Sequence, residues 1–240
     1  MKHELTSAKD RLAVAIDVTG VDAARRLLDL VYDEVGVIKI GHQLAYSGGF
    51  ALIEELSSAG KPVFADLKLL DIDNTVAHGV ESVAASGAAY LTIHAYPNTM
   101  RAAAKALGPA AAMMLLGVTV LTSMDDADLL ETGYSATAHK LVLKRGQQAK
   151  DAGIGGLICS AKETNSLRNA LGPNMRLITP GIRFTGDSAG DQKRVVTPQR
   201  AIADGADVLV IGRSITAASD PSAAARRAVD EIAQGLADRT

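Results

Sequence analysis

The chain has no tryptophan, and aromatic residues make up only 3% of its 240 positions. That poverty argues against a platform on which the bases of a single nucleic-acid strand would stack. The one cysteine, Cys159, excludes an internal disulfide framework and reads as a small buried hydrophobe. No apolar run approaches the ~20 residues of a membrane span. The opening residues, Met1 to Ser7, lack the apolar segment of a signal peptide. With a formal net charge of −2, the chain has no basic footprint for nucleic acid. His42 and His78 have no companions at a metal-ligand spacing, so no metal site is expected. These absences predict a soluble, cytoplasmic protein with neither a nucleic-acid nor a membrane partner.

What is present is a large apolar fraction, 48%, arranged in short runs. Eight runs read as strands: residues 11–17, 35–41, 62–66, 89–94, 112–120, 156–160, 175–179 and 207–212. Helical spacing follows them, for example Val21, Ala24, Leu27, Leu28 and Val31, or Val76, Val80, Val83 and Ala84. Thr197-Pro198 looks like an N-cap followed by proline at the first helical position. Runs that are apolar throughout, rather than alternating, suit parallel strands buried on both faces. Eight βα units with no break in composition predict an α/β fold. The expectation is one (β/α)8 TIM barrel spanning residues 1–240, with an open doubly wound sheet as the alternative.

The charged residues at the strand ends are the second feature. Asp17 ends the first run, Lys39 lies near the end of the second, and Asp66 and Lys68 end the third, with Asp71 just beyond. In parallel α/β folds chemistry is done at this end of the sheet. Asp66 and Lys68 are two apart, so a persisting strand would point them the same way. Opposite charges alternate in this array, and each supports the ionised state of the next. An ammonium held between carboxylates in a dry site is a general acid rather than a base or a Schiff-base nucleophile. A cluster of this kind also occurs as a surface salt-bridge network, so the rest of the chain has to decide.

The third feature is a candidate phosphate cradle. Pro180-Gly181-Ile182-Arg183 ends the seventh run, and Gly212-Arg213-Ser214 ends the eighth. Barrels often bind phosphate with the loops after these two strands. Glycine lets backbone N–H groups approach an anion, and arginine supplies a bidentate fork. Gln192, in the polar loop from Arg183 to Arg194, adds a neutral donor. A phosphate anchor across the mouth from a Lys/Asp array implies a phosphorylated small molecule, whose remote binding energy serves the reacting centre.

Together these residues resemble the orotidine 5′-monophosphate decarboxylase family in its bacterial form. The most specific element is Asp66-x-Lys68-x-x-Asp71-Ile72-x-Asn74-Thr75. Ala15-Ile16-Asp17, Lys39-x-Gly41, Leu121-Thr122-Ser123, the Pro180 and Gly190 segments and Gly212-Arg213-Ser214 follow in the family's order. The resemblance implies a homodimeric barrel that removes CO2 from orotidine 5′-monophosphate to give uridine 5′-monophosphate, without metal or organic cofactor. By matched position, Lys68 is the proton donor and Asp66 lies against the substrate carboxylate. Lys39 links Asp66 to the ribose, and Asp17 holds a ribose hydroxyl. Asp71, Ile72 and Thr75 reach into the neighbouring subunit's site. Thr122 takes the pyrimidine edge, and Pro180, Arg183, Gln192, Gly212 and Arg213 surround the phosphate. Leu70 and Asp73 stand where the family often has His and Pro. Two other readings compete: a metal-dependent sugar-phosphate lyase or decarboxylase with a similar D-x-K-x-x-D strand, and a non-catalytic phosphate-binding barrel. Elsewhere, His94 reads as structural, and the Lys140/Lys144/Arg145 cluster as a solvated helix face.

Overall fold

The eight apolar runs pair in the order in which the chain presents them. A computed structural model describes residues 3–109, 111–186 and 196–239. In it β1 (Leu12–Ala15), β2 (Val37–Gly41), β3 (Val63–Leu69) and β4 (Tyr90–His94) lie side by side, followed by β5 (Met114–Val118), β6 (Gly156–Ile158), β7 (Arg176–Thr179) and β8 (Val208–Ile211). Every pairing is parallel, and β8 returns to β1, so the barrel is closed. The expected (β/α)8 architecture is therefore the observed one, and the open sheet is not formed.

Both faces of the strands are covered. One parity of side chains, including Ala13, Ala15, Val37, Phe64, Tyr90 and Val210, fills the inside of the barrel. The other parity, including Leu12, Val14, Ile38, Val63 and Leu91, packs beneath the surrounding helices. This two-sided burial is why the strands read as unbroken apolar runs. It also fixes where polar residues must point. Asp17 continues the inward parity of Ala15, Lys39 that of Val37, Asp66 that of Phe64, and Thr92 that of Tyr90.

The helices start where the sequence signals them. Thr197 accepts a hydrogen bond from the Arg200 N–H at the head of the helix Pro198–Ala203, with proline in the first turn as expected. Asp220 caps the helix Pro221–Ala237 in the same way, through the Ala223 N–H. Cys159 is fully buried, and burial pushes its thiol up, as suits an inert core residue. Arg145 departs from expectation. Lys140 and Lys144 are exposed, but Arg145 is buried. It lies on the helix face of Leu141 and Ala149, four residues either side, which packs against the barrel. Its guanidinium donates to the Thr119 carbonyl and, at 3.0 Å, to the Tyr134 hydroxyl. It also lies over the Tyr96 ring, 4.8 Å from the centroid.

One close approach depends on glycine. A Cβ at Gly235 would stand 2.4 Å from the Gln199 carbonyl oxygen and 2.8 Å from the Ile202 Cβ. The last helix can therefore rest on Pro198–Ala203 only without a side chain there. Gly235→Ala is expected to cost about 1–3 kcal/mol through overpacking. In a chain of this size that lowers Tm by roughly 2–12 °C. A calorimetric Tm equal to or above the parent's would contradict this packing.

Candidate active site

Inward parity gathers Asp17, Lys39 and Asp66 at the carboxyl end of the barrel, where Lys68 joins them. Lys39 Nζ lies 3.2 Å from Asp17 Oδ1 and 3.3 Å from Asp66 Oδ2. Lys68 Nζ lies 2.8 Å from Asp66 Oδ1. The charges thus alternate along one chain of contacts, as the strand ends suggested. The side chains grade from closed to open: Lys39 is 8% exposed, Asp66 15%, Lys68 27% and Asp17 53%. Gly41 makes room for this chain. It faces Asp66 in the β2–β3 ladder, and a Cβ there would lie 3.0 Å from Lys39 Nζ and 3.2 Å from Asp17 Oδ1.

Asp66 is the electrostatic centre of the array. Burial by itself raises the pKa of its carboxyl. The Lys39 and Lys68 ammoniums outweigh burial, with hydrogen bonds from Lys68 and Thr92, and hold the group below the usual carboxylate range. Lys39 also occupies the space between Asp17 and Asp66 that a shared divalent ion would need. Among the described residues no group of three or more His, Cys, Asp or Glu is arranged to hold a metal ion.

The route by which Lys68 reaches Asp66 differs from simple alternation. Ala65 pairs with Leu91 and Leu69 with Ile93, so four residues of advance on β3 match two on β4. The surplus is taken up as a bulge. Within it Lys68 has φ 49°, the only positive φ among described non-glycine residues. Such a backbone costs a non-glycine residue about 1 kcal/mol or more. The Lys68 N–H donates to Thr92 Oγ1 at 2.9 Å, and Thr92 Oγ1 donates to Asp66 Oδ1 at 3.0 Å. Thr92 is fully buried and was not singled out from the sequence. Its only signal there is a small hydroxyl between Leu91 and Ile93 in the middle of the strand.

A cavity of about 470 Å³ opens over the array. Thr122, after β5, lines it, as do Pro180 and Arg183 after β7 and Gly212 and Arg213 after β8. Val118, Ile158 and Val210 give it apolar surface, and Gln43 and Ser123, not predicted, also line it. Arg183 is buried, and its backbone N–H donates to the Val196 carbonyl at 3.2 Å. Gln192 and the rest of residues 187–195 lie outside the described residues. Asp71, Ile72 and Thr75 do not line this cavity. All three are exposed at the start of the helix Asp73–Ala85, and Asp71 Oδ1 accepts the Ile72 N–H at 2.7 Å. His94 is half-buried; burial first, then the nearby Arg145, Lys68 and His42, lower its pKa. An ammonium facing a recessed cavity stabilises negative charge that develops there and carries a proton to deliver. The arginines at the rim suit a phosphate.

Comparison with known proteins agrees with this chemistry. The sequence model of the Orotidine 5'-phosphate decarboxylase / HUMPS family matches residues 10–228. An orotidine 5'-phosphate decarboxylase of Rhodopseudomonas palustris (strain HaA2) is 57% identical over 226 residues, covering 94% of this chain and 96% of the relative. Another, of Methylobacterium sp. (strain 4-46), is 52% identical over 233 residues, covering 96% of this chain and 99% of the relative. The crystal structure of orotidine 5'-phosphate decarboxylase from Lactobacillus acidophilus superposes with a TM-score of 0.81 at 33% identity, covering 92% of this chain and 98% of that one.

The depressed Asp66 pKa has a stability consequence. Its contribution is present above the ordinary value of 3.8 and is lost as pH falls through the lower folded value. Asp66→Asn is therefore expected to be less stable by about 1–3 kcal/mol near neutral pH. That deficit should narrow as pH drops below about 4. Urea unfolding at a series of pH values checks it, and a deficit independent of pH would mean that Asp66 is not held as an ionised partner.

Proposed function

The chain belongs to the orotidine 5'-phosphate decarboxylase / HUMPS family, and on that premise we propose that it converts orotidine 5′-monophosphate to uridine 5′-monophosphate and CO2 without metal or organic cofactor. The observation that carries this reading is the unbroken Asp17–Lys39–Asp66–Lys68 chain in a cavity whose rim bears Arg183 and Arg213. The arginines, with the Gly212 backbone, Pro180 and Gln192, take the phosphate. Thr122 meets the pyrimidine edge, and Asp17 and Lys39 take the ribose hydroxyls. The substrate carboxylate then lies against Asp66. The carbon–carbon bond to that carboxylate breaks with its electron pair left on the ring carbon. The Lys68 ammonium stabilises that charge, and its proton passes from Nζ to the ring carbon. Neutral Lys68 regains a proton from solvent as product leaves. The bridging of Asp17 and Asp66 by Lys39 supports this over a metal-dependent sugar-phosphate lyase, which needs carboxylates free to share an ion.

The same reading makes the protein a cytoplasmic, single-domain homodimer with no nucleic-acid or membrane partner. Among the described residues no helix is long and apolar enough to cross a membrane. Exposed Leu70 and Ile72 flank Asp71, and exposed Tyr46 is carried by the segment after β2. That apolar surface supports a second copy covering it, with Asp71, Ile72 and Thr75 completing the other copy's cavity.

Orotidine 5′-monophosphate should lose its orotate absorbance, with CO2 released, when mixed with EDTA-treated protein. Turnover on sugar phosphates only after magnesium is added would favour the metal-dependent alternative. Lys68→Ala should lower kcat by more than about 10³-fold while uridine 5′-monophosphate still binds; near-normal turnover removes Lys68 from its role. Inactive Lys68→Ala and Asp71→Ala proteins, mixed under conditions of proven subunit exchange, should recover part of the activity through hybrid dimers. No recovery would count against a shared site.

A further inference from the structure

Asp66 and Lys68 sit on the part of β3 that β4 does not hold by the regular ladder. On β4, ladder partners exist for Ala65 and Leu69 and not for the residues between them. The Lys68 N–H would be left without a strand partner there, and the left-handed backbone at Lys68 would lack a restraint on that side. One side chain answers both needs. Thr92 Oγ1 accepts a hydrogen bond from the Lys68 N–H at 2.9 Å and donates its own to Asp66 Oδ1 at 3.0 Å. That same oxygen accepts Lys68 Nζ at 2.8 Å. The contacts form a closed ring: Lys68 backbone, Thr92 hydroxyl, Asp66 carboxylate, Lys68 ammonium.

We propose that Thr92 is a positioning residue for the reaction, its hydroxyl fixing the Lys68 ammonium and the Asp66 carboxylate at one separation and one orientation. The inference rests on the decarboxylase reading above and adds to it a residue that is absent from the cavity lining. Three features set this hydroxyl apart from an ordinary buried threonine. It is fully buried, so water does not compete for it. It contacts both members of the reacting pair. Its donor and acceptor roles are both used within that pair, so hydrogen bonds in series reinforce one another. A threonine serving only strand packing, by contrast, would be replaced by valine at little cost. Because Thr92 holds groups that act on the carbon rather than groups that hold the phosphate, its loss should fall on kcat and spare ligand affinity. Because it donates to Asp66, its loss should also move the titration of that carboxyl upward.

Thr92→Val keeps the side-chain shape and removes the hydroxyl. The expected result is a kcat about 10- to 100-fold lower, a KM within about threefold of the parent's, and unchanged affinity for uridine 5′-monophosphate. The acid limb of kcat/KM should move to higher pH. Thr92→Ser, which restores the hydroxyl, should return kcat to within about threefold. A valine variant with parental kcat, or a serine variant no better than valine, overturns the proposal. Should the valine variant fail to fold, Thr92→Ser against Thr92→Cys makes the same comparison, because the thiol is a weak hydrogen-bonding group of similar size; equal kcat in those two also overturns it. If the parent does not turn over orotidine 5′-monophosphate, the decarboxylase reading fails, and the geometry is read separately. NMR titration of the Asp66 carboxyl should still give a higher pKa without the hydroxyl than with it, and identical titrations would overturn Thr92's role.

Discussion

The site depends on keeping Asp66 ionised where charge is costly. A carboxylate with its side chain 15% exposed at the end of a barrel loses most of its hydration. Two ammoniums and a hydroxyl replace that hydration, and their effect exceeds the penalty of burial. The buried Lys39 ammonium gives the larger purely electrostatic contribution, and Lys68 adds a hydrogen bond to its own charge. Lys39 in turn needs Asp17, which is more open and connects the array to the cavity. Each member is therefore compensated only while its neighbours are present, and the array behaves as one unit rather than as separable pairs.

The barrel makes the array possible by an uneven distribution of volume. On β3 and β4 the inside is filled by Phe64 and Tyr90, whose ring centroids lie 6.0 Å apart in an edge arrangement. On β1 the inward residues are Ala13 and Ala15, and Gly41 lies at the end of β2. Phe64 forms part of the cavity wall, and the small Ala15 and Gly41 leave space for Lys39 to reach two carboxylates and for a ligand to approach. Gly212 continues this pattern, since among the described residues a Cβ there would meet only Ala15, at 3.7 Å. The cavity thus follows from the choice of small residues on the strands that meet at β1.

The strand-end residues were legible because parity and chain order alone bring them together. Once eight parallel strands close, Asp17, Lys39 and Asp66 must converge on one mouth, with Arg183 and Arg213 at the same end. Thr92 was not legible, since a buried threonine is common and its importance comes from the β3 bulge. The bulge itself was hidden for a related reason: alternation assumes a regular strand, and nothing local in Asp66-Leu67-Lys68 announces a left-handed backbone. The expected pairing of Asp66 with Lys68 holds, but through a distortion of the strand. Arg145 was misread because its neighbours Lys140 and Lys144 share its charge but not its face of the helix.

The segment leaving β3 has two allegiances, and the helix that follows explains them. Val76, Val80 and Val83 are buried against the barrel, which fixes the rotation of Asp73–Ala85. Thr75, one position before Val76, then lies about 100° away around the helix axis. Asp71 and Ile72, before the first turn, are carried off the rim of the barrel. None of the three lines the cavity of its own chain. Their exposure thus accompanies the seating of that helix. An exposed isoleucine and leucine either side of a carboxylate make a poor solvent face, because the apolar surface gains nothing from water. Covered by a second copy, that surface would be buried and Asp71 would be delivered to a site with cations to receive it. In the proposed dimer, association and catalysis would be linked through this one short segment between the β3 bulge and the buried valines.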